Sequence, residues 1–292
     1  MQRTTAGLRP DTATRLAQLE RQRPEWRVWL RLLGEAERAL DDSGWLTPLD
    51  EAELGDRLAG SDDTPLLNGR GLKVNAGVAQ RLVRTLASIA AAEHLIDADA
   101  LGRYRPSAAD AVALIVAAVR QDPTELAALA GAAGVEPGPF MSVAHLAAFP
   151  LLQSCGRLLA DHVPRHWPHG HCPICAAWPI LAERRGLDRS RRLRCGRCGA
   201  EWEVQWLYCV YCGERKHQQL GFLVPEDGGE TLKVETCASC GGYLKSIATL
   251  QGIPPFELIL RDLETVELDL VAVERGYGRP EESRFRLEVR LA

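Results

Sequence analysis

Residues 195–212 read CGRCGAEWEVQWLYCVYC, two Cys-x-x-Cys pairs with ten residues between them. One tetrahedral ion would need all four thiolates within roughly 4 Å of one another. The intervening AEWEVQWLY alternates Trp202, Val204, Trp206 and Tyr208 with Glu201, Glu203, Gln205 and Leu207, a period of two that predicts a strand. An extended residue spans about 3.3 Å. A strand over 200–207 would therefore hold Cys198 and Cys209 roughly 20 Å apart, so each pair must find its partner elsewhere.

Partners are present on both sides. Cys172 and Cys175 in CPIC precede Cys195 and Cys198, giving C-x2-C-x19-C-x2-C. Cys209 and Cys212 precede Cys237 and Cys240 in CASC, giving C-x2-C-x24-C-x2-C. The segments between them, AWPILAERRGLDRSRRLRC and QQLGFLVPEDGGETLKVETC, read as hairpins about Gly186 and Asp188 and about Pro225, Asp227, Gly228 and Gly229. Each unit is thus expected to run knuckle, hairpin, knuckle, strand. Glycine follows three knuckles, at Gly199, Gly213 and Gly241, and Ala176 takes that place in the first. Eight of the nine cysteines fall in these pairs, a spacing that signals two four-thiolate metal sites. An interleaved pairing, with the first pair meeting the third, stays open. A sulfur tetrahedron accepts zinc or iron alike.

Outside this region the chain is different. The first 165 residues hold one cysteine, Cys155, and are rich in Ala and Leu. PEWRVWLRLLGEAERAL places Trp26, Trp29, Leu30, Leu33 and Ala36 near one helical face, with Pro24 at its start and Gly44 beyond its end. AQRLVRTLASIAAAEHLI, SAADAVALIVAAVR, PTELAALAGAAG and SVAHLAAFPLLQSCGRLLADHV read as further helices, with Ser107 and Ser142 as caps. Composition shifts at PRHWPHGHCPICAAWP. The expected class is α+β: a helical domain over 1–165, rubredoxin-like or zinc-ribbon modules over 166–207 and 208–250, and a helical segment with a charged tail over 251–292.

Apolar residues make up 46% and charged residues 25%, the balance of a soluble globular protein. The N-terminus lacks the apolar core of a signal peptide, and AADAVALIVAAVR is too short to span a bilayer. A cytoplasmic location follows as an expectation, and reduced thiols with it. The net charge of −4 disfavours a wholly nucleic-acid-binding surface. Charge is nonetheless uneven. Residues 35–63 carry ten acids against two bases, and residues 165–198 carry eight arginines against two acids.

The arginines of ERRGLDRSRRLRCGR read first as a solvated face, alternatively as a docking patch for an acidic partner or nucleic acid. Trp202, Trp206 and Tyr208 read as packing between modules, alternatively as stacking platforms. Cys155 on an apolar helix reads as a small buried side chain, with a nucleophile paired to His162 or His166 as the sharper alternative. His162, His166, His169 and His171 read as linker residues or as groups beside the thiolates, since both sites already have four sulfurs. No phosphate loop, Ser/His/Asp arrangement or carboxylate pair stands at a recognisable spacing, so no enzyme activity is expected.

The succession of a helical half, four Cys-x-x-Cys knuckles and an acidic helical segment resembles the formate dehydrogenase accessory proteins, the FdhE family. HCPICAAWPILA, RCGRCGAEWEVQWLYCVYCGE and ETCASCGGYLKSI carry the resemblance, most specifically across 171–247, and LRDLETVELDLVAVERGY is similar to the family's closing segment. The resemblance implies a non-catalytic bacterial cytoplasmic protein. It would be needed for active respiratory formate dehydrogenase, and would contact that enzyme's molybdenum-containing, often selenocysteine-containing catalytic subunit before export. It also implies a rubredoxin-like cysteine region associated with iron, with Cys172, Cys175, Cys195, Cys198, Cys209, Cys212, Cys237 and Cys240 as the ligands of two ions. A nucleic-acid-binding zinc ribbon and a rubredoxin-like electron carrier are the rival expectations, and a homo-oligomer is compatible with each.

Overall fold

The computed structural model describes residues 10–46, 48–49, 63–95, 99–225, 231–280, 283 and 285–291. Parts of the acidic stretch, the predicted turn at Asp227–Gly229 and parts of the C-terminal tail lie outside them. The chain divides into two compact units. One comprises Met1–Asp56, Gly69–Cys155 and Glu288–Ala292; the other comprises Arg57–Asn68 and Gly156–Leu287. The division along the chain thus falls at 155/156, ahead of the compositional shift near 165, and two short segments are exchanged between the units.

The first unit is built on helices α1 (Pro10–Gln22), α2 (Arg27–Ala39), α3 (Ala76–Ala92), α4 (Ala108–Arg120) and α5 (Pro123–Ala133). Helix α6 (Pro137–Leu159) begins there and runs on past the division. Capping explains the starts. The Asn75 side chain accepts from Val78 N, Ser107 and Asp110 form a reciprocal capping box, and Asp122 accepts from Glu125 N ahead of Pro123. Ser142 is no cap: the helix begins at Pro137, and the Ser142 hydroxyl donates to the Gly138 carbonyl inside the first turns. The α2 face also differs from the one read in the sequence. A 3-10 turn at Pro24–Trp26 precedes the helix and shifts its phase, so Leu30, Leu32, Gly34 and Ala36 are buried while Trp26, Trp29 and Leu33 are only partly so. A short strand β1 (Arg70–Leu72) joins these helices. It pairs in parallel with β8 (Val289–Leu291), the end of the charged tail, and Arg120 clamps β8 by donating to the Val289 carbonyl.

Helix α6 with its 3-10 extension, Pro137–His162, is long and apolar enough by composition to cross a membrane, but 72% of its most apolar window is buried within the protein, as in a core helix.

The second unit holds one six-stranded sheet in the order β4-β3-β2-β7-β6-β5, formed by β2 (Leu181–Arg185), β3 (Ser190–Arg194), β4 (Glu201–Glu203), β5 (Leu220–Leu223), β6 (Leu232–Cys237) and β7 (Tyr243–Thr249). Both predicted hairpins are present, β2 with β3 and β5 with β6. The two modules are not separate bodies. They fuse through a parallel pairing of β2 with β7, from Ala182 opposite Ser246 to Arg185 opposite Thr249. Helices α7 (Pro255–Glu264) and α8 (Val266–Glu274) lie against the sheet. Leu258 packs with Leu181 and Ile247, and Ala272 packs with Val234 and Tyr243. Fully buried Lys245 on β7 fastens them: its ammonium lies 2.6 Å from Asp269 Oδ2 and 2.8 Å from Asp262 Oδ1.

Topology fixes where the knuckles lie. β2 leaves the Cys172–Cys175 knuckle and β3 runs back into Cys195, while β6 runs into Cys237 and β7 leaves the knuckle at Cys240. Because β2 and β7 are parallel, both cysteine sets stand at the same end of the sheet.

Candidate metal centres

All four knuckles share one backbone design. The N–H four residues after the first cysteine donates to that cysteine's carbonyl: Ala176 to Cys172, Gly199 to Cys195, Gly213 to Cys209, Gly241 to Cys237. The first cysteine's own N–H reaches five residues on, to the carbonyls of Ala177, Ala200, Glu214 and Gly242. The double closure needs a left-handed residue at the fourth step, and φ there is 62° at Ala176, 76° at Gly199, 79° at Gly213 and 66° at Gly241. Glycine meets this without cost, whereas alanine pays about 1–2 kcal/mol. The Ala176 knuckle therefore keeps the shared hydrogen bonds and carries local strain.

The knuckles pair in sequence order. Cys172, Cys175, Cys195 and Cys198 form one set and Cys209, Cys212, Cys237 and Cys240 the other, with the sulfurs of each set within 4.8 Å of one another. Closest approaches are 3.5 Å for Cys172–Cys198 and Cys175–Cys195, and 3.7 Å for Cys209–Cys240 and Cys212–Cys237. The interleaved arrangement is not the one adopted. These separations suit a four-sulfur ion site, so each set could hold one metal ion. In the first set, burial drives the Cys172 and Cys198 thiols upward, while hydrogen bonds from Cys172, Cys175 and Cys198 pull Cys195 down. In the second, burial raises Cys209, and raises Cys240 to about 11. Such thiols part with their protons when a cation takes their place. The donor set is the soft one that favours zinc or iron, and it does not choose between them.

The reason the two central pairs do not share an ion differs from the one read in the sequence. β4 ends at Glu203, and the chain turns back over 204–208 to reach Cys209. The turn is gathered by Arg191, whose Nη1 donates to the carbonyls of Gln205 and Tyr208 while its other edge meets Glu235. Trp202 is buried, but Trp206, beyond the strand, is 45% exposed. Trp206 lines a groove of about 520 Å³ with Arg165, Trp167, Tyr208 and Arg215.

The arginine-rich hairpin is largely an internal network rather than a basic face. Arg184, Arg191 and Arg194 are buried. Glu183, also buried, receives Arg185 and Arg194, and Arg185 and Arg192 both reach Glu201. Sequence reasoning assigned these charges to solvent because residue type alone cannot show that both partners of an ion pair are enclosed.

Cys155 is fully buried, while His162 and His166 are exposed. His171 is buried against Trp167, His169 and Phe285, with its ring stacked 4.8 Å from that of His169. Burial and the neighbouring His169 push its pKa down to about 4. It packs beside the first knuckle and belongs to neither sulfur set.

Residues 207–285 match the family model described as FdhE, C-terminal domain. The Protein FdhE homolog of Stutzerimonas stutzeri (strain A1501) is 36% identical over 111 residues, which cover 37% of this chain and 35% of that protein. Protein FdhE of Escherichia coli O127:H6 is 32% identical over 114 residues, covering 37% and 35%. The chain thus spans about a third of the length of the curated relatives it matches. Among solved structures, the crystal structure of the FdhE protein from Pseudomonas aeruginosa superposes with a TM-score of 0.60 at 23% identity, over 93% of this chain and 92% of that one. The likeness to the FdhE family is therefore one of sequence over about a third of the chain, including 207–285, and one of fold across nearly the whole chain.

Proposed function

We propose that this FdhE-like chain is an accessory protein for a formate dehydrogenase, acting by binding that enzyme's catalytic subunit before export rather than by catalysing a reaction. The observation that carries the reading is the pair of four-cysteine sets at one end of a single sheet, the second of them within the stretch 207–285 that matches the FdhE C-terminal domain. Cys172, Cys175, Cys195 and Cys198 would hold one ion, and Cys209, Cys212, Cys237 and Cys240 the other. Each ion would tie the two ends of a hairpin together and add binding free energy to folding. Zinc would make both sites structural; iron, which the family resemblance favours, would add a one-electron couple.

The chain's own residues supply a rigid frame. The β2–β7 pairing and the Arg191–Glu235 contact hold both sets in fixed relation within the unit. A cytoplasmic location accords with a partner that is met before export. The buried arginines speak against the nucleic-acid reading, because ion-paired guanidinium groups are not offered to phosphates.

The test is complementation of a host that makes formate dehydrogenase but lacks this chain, read as enzyme activity and as co-purification with the tagged catalytic subunit. The natural chain should restore both. Cys209→Ser/Cys212→Ser should restore neither, and it should lose one ion per chain on purification without oxygen. Full restoration by that variant, or absence of the catalytic subunit from the natural chain's complexes, would overturn the proposal.

A further inference from the structure

The two sulfur sets are alike in backbone and unlike in cover. Around the first, every cysteine is buried, as is the whole stretch 171–177. Four separate pieces of the second unit clad it. The N–H groups of Leu66 and Leu67 donate to the carbonyls of Pro173 and Ile174 inside the first knuckle. Gly156, near the end of α6, approaches so closely that a Cβ there would lie 1.8 Å from the Cys198 carbonyl oxygen. Ile180 lies over Gly196, and the Ser283 hydroxyl donates to the Ala176 carbonyl at 2.5 Å.

The second set has comparable cover on one knuckle alone. Gly170 sits against the Val210 carbonyl, where a Cβ would again be 1.8 Å away. The opposite knuckle keeps Cys237 buried but is open at its tip: Ala238, Ser239 and Cys240 are all exposed, and Cys212 is half-buried. Its polar ties to other segments run through the Ala238 N–H, which donates to the Gln219 carbonyl, the Gly241 carbonyl, which accepts from the Gly278 N–H, and the Ser239 hydroxyl, which donates to surface Glu214 Oε2 at 2.8 Å; none of them covers the Cys240 sulfur.

From this contrast we infer that the two centres divide their work: the set of Cys209, Cys212, Cys237 and Cys240 exchanges ligands with thiols from solution at its Cys240 vertex, while the set of Cys172, Cys175, Cys195 and Cys198 keeps its ion. The inference rests on the metal-binding reading above. Four-thiolate ions exchange when an incoming sulfur reaches the metal, and cover on every side denies that approach. At the open vertex a low-molecular-mass thiol R–SH would replace Cys240 as a ligand of the bound ion, its proton passing to the released Cys240 sulfur. Charge and oxidation state are unchanged. The second centre is thereby a place where the chain can hand over, or share, a metal-bound ligand site without unfolding.

The full chain, purified without oxygen and loaded with zinc, is first assayed for bound metal. Two ions per chain are expected, and fewer would overturn the metal reading and this inference together. The loaded protein is then challenged with EDTA in the presence of glutathione, and zinc release is followed by time. With two ions bound, release should occur in two equal phases, the faster at least tenfold quicker and accelerated by glutathione. Cys240→Ser should remove or further hasten the fast phase and leave the slow phase unchanged. Brief iodoacetamide treatment of the loaded natural chain, mapped by mass spectrometry, should label Cys240 and Cys212 before any cysteine of the first set. A single release phase with two ions bound, or first labelling at Cys172, Cys175, Cys195 or Cys198, would overturn the division while leaving the metal reading intact.

Discussion

Arg191 Nη2 lies 2.5 Å from Glu235 Oε2, joining β3 of the first ribbon to β6 of the second with the guanidinium only 3% exposed. The same guanidinium holds the Gln205 and Tyr208 carbonyls. Removing it leaves a largely enclosed carboxylate and two carbonyls without their donor, so Arg191→Ala should cost about 3–5 kcal/mol. Arg191→Lys should fall between, since an ammonium keeps the charge but cannot fork to all three acceptors. Urea unfolding of the full chain measures this, and an alanine variant within 1 kcal/mol of the natural chain would contradict it.

Ala176 offers a stabilising change. Glycine there relieves about 1–2 kcal/mol of left-handed strain and gives up one buried methyl worth about 0.8 kcal/mol. Ala176→Gly should therefore stabilise by roughly 0–1 kcal/mol, against a typical cost for glycine elsewhere. A clear fall in the unfolding midpoint would show that the methyl's packing outweighs the strain.

Gly156→Ala should go the other way. Helix propensity alone favours alanine by about 1 kcal/mol, but its Cβ would stand 1.8 Å from the Cys198 carbonyl oxygen and 2.9 Å from its carbon. Backbone cannot yield as a side-chain tip does, so a loss of several kcal/mol, on the scale of overpacking at 1–3 or more, should result. Zinc release from the first centre should quicken in parallel, which a purely helical effect would not produce.

Glu183 sets an acid limit. Burial alone would raise its pKa. Hydrogen bonds from Arg185 and Thr249, with the charge of Arg194, outweigh that and hold the carboxyl below its usual range. A depressed folded pKa contributes stability that is complete above the unfolded value near 4.3 and is lost as pH falls through the folded value. Glu183→Gln should thus be less stable at neutral pH, with a shallower decline below about pH 5. Equal slopes for the two proteins would remove Glu183 from the account.

Much of the sheet unit is legible in the sequence because its signals are local. Gly186 and Asp188 sit at the turn of β2 and β3, and cysteine spacing selects the partners that the structure brings together. The parallel contact of β2 with β7 was not legible, since neither strand carries a mark naming a partner some sixty residues away. The alternation of 201–208 overstated β4 for a similar reason: Val204, Trp206 and Tyr208 keep the period, yet Arg191, distant in sequence, captures the carbonyls and ends the strand. The tail strand β8 depends on pairing with β1 and on Arg120, none of which its own residues announce.

The strand order β4-β3-β2-β7-β6-β5 repeats last, middle, first in each ribbon. The ribbons are therefore related by a step and not by a two-fold turn, and a step has no built-in end. Among the described residues no strand occupies the outer edge of β5, where the junction that seats β7 beside β2 would recur, or its counterpart, the outer edge of β4. β4, the strand at one of those edges, is brief: three residues against seven in β7. Short edges of this kind protect against strand-to-strand accretion. Lengthening β4 into a register matching β7 would turn a finished pair into a growing ladder.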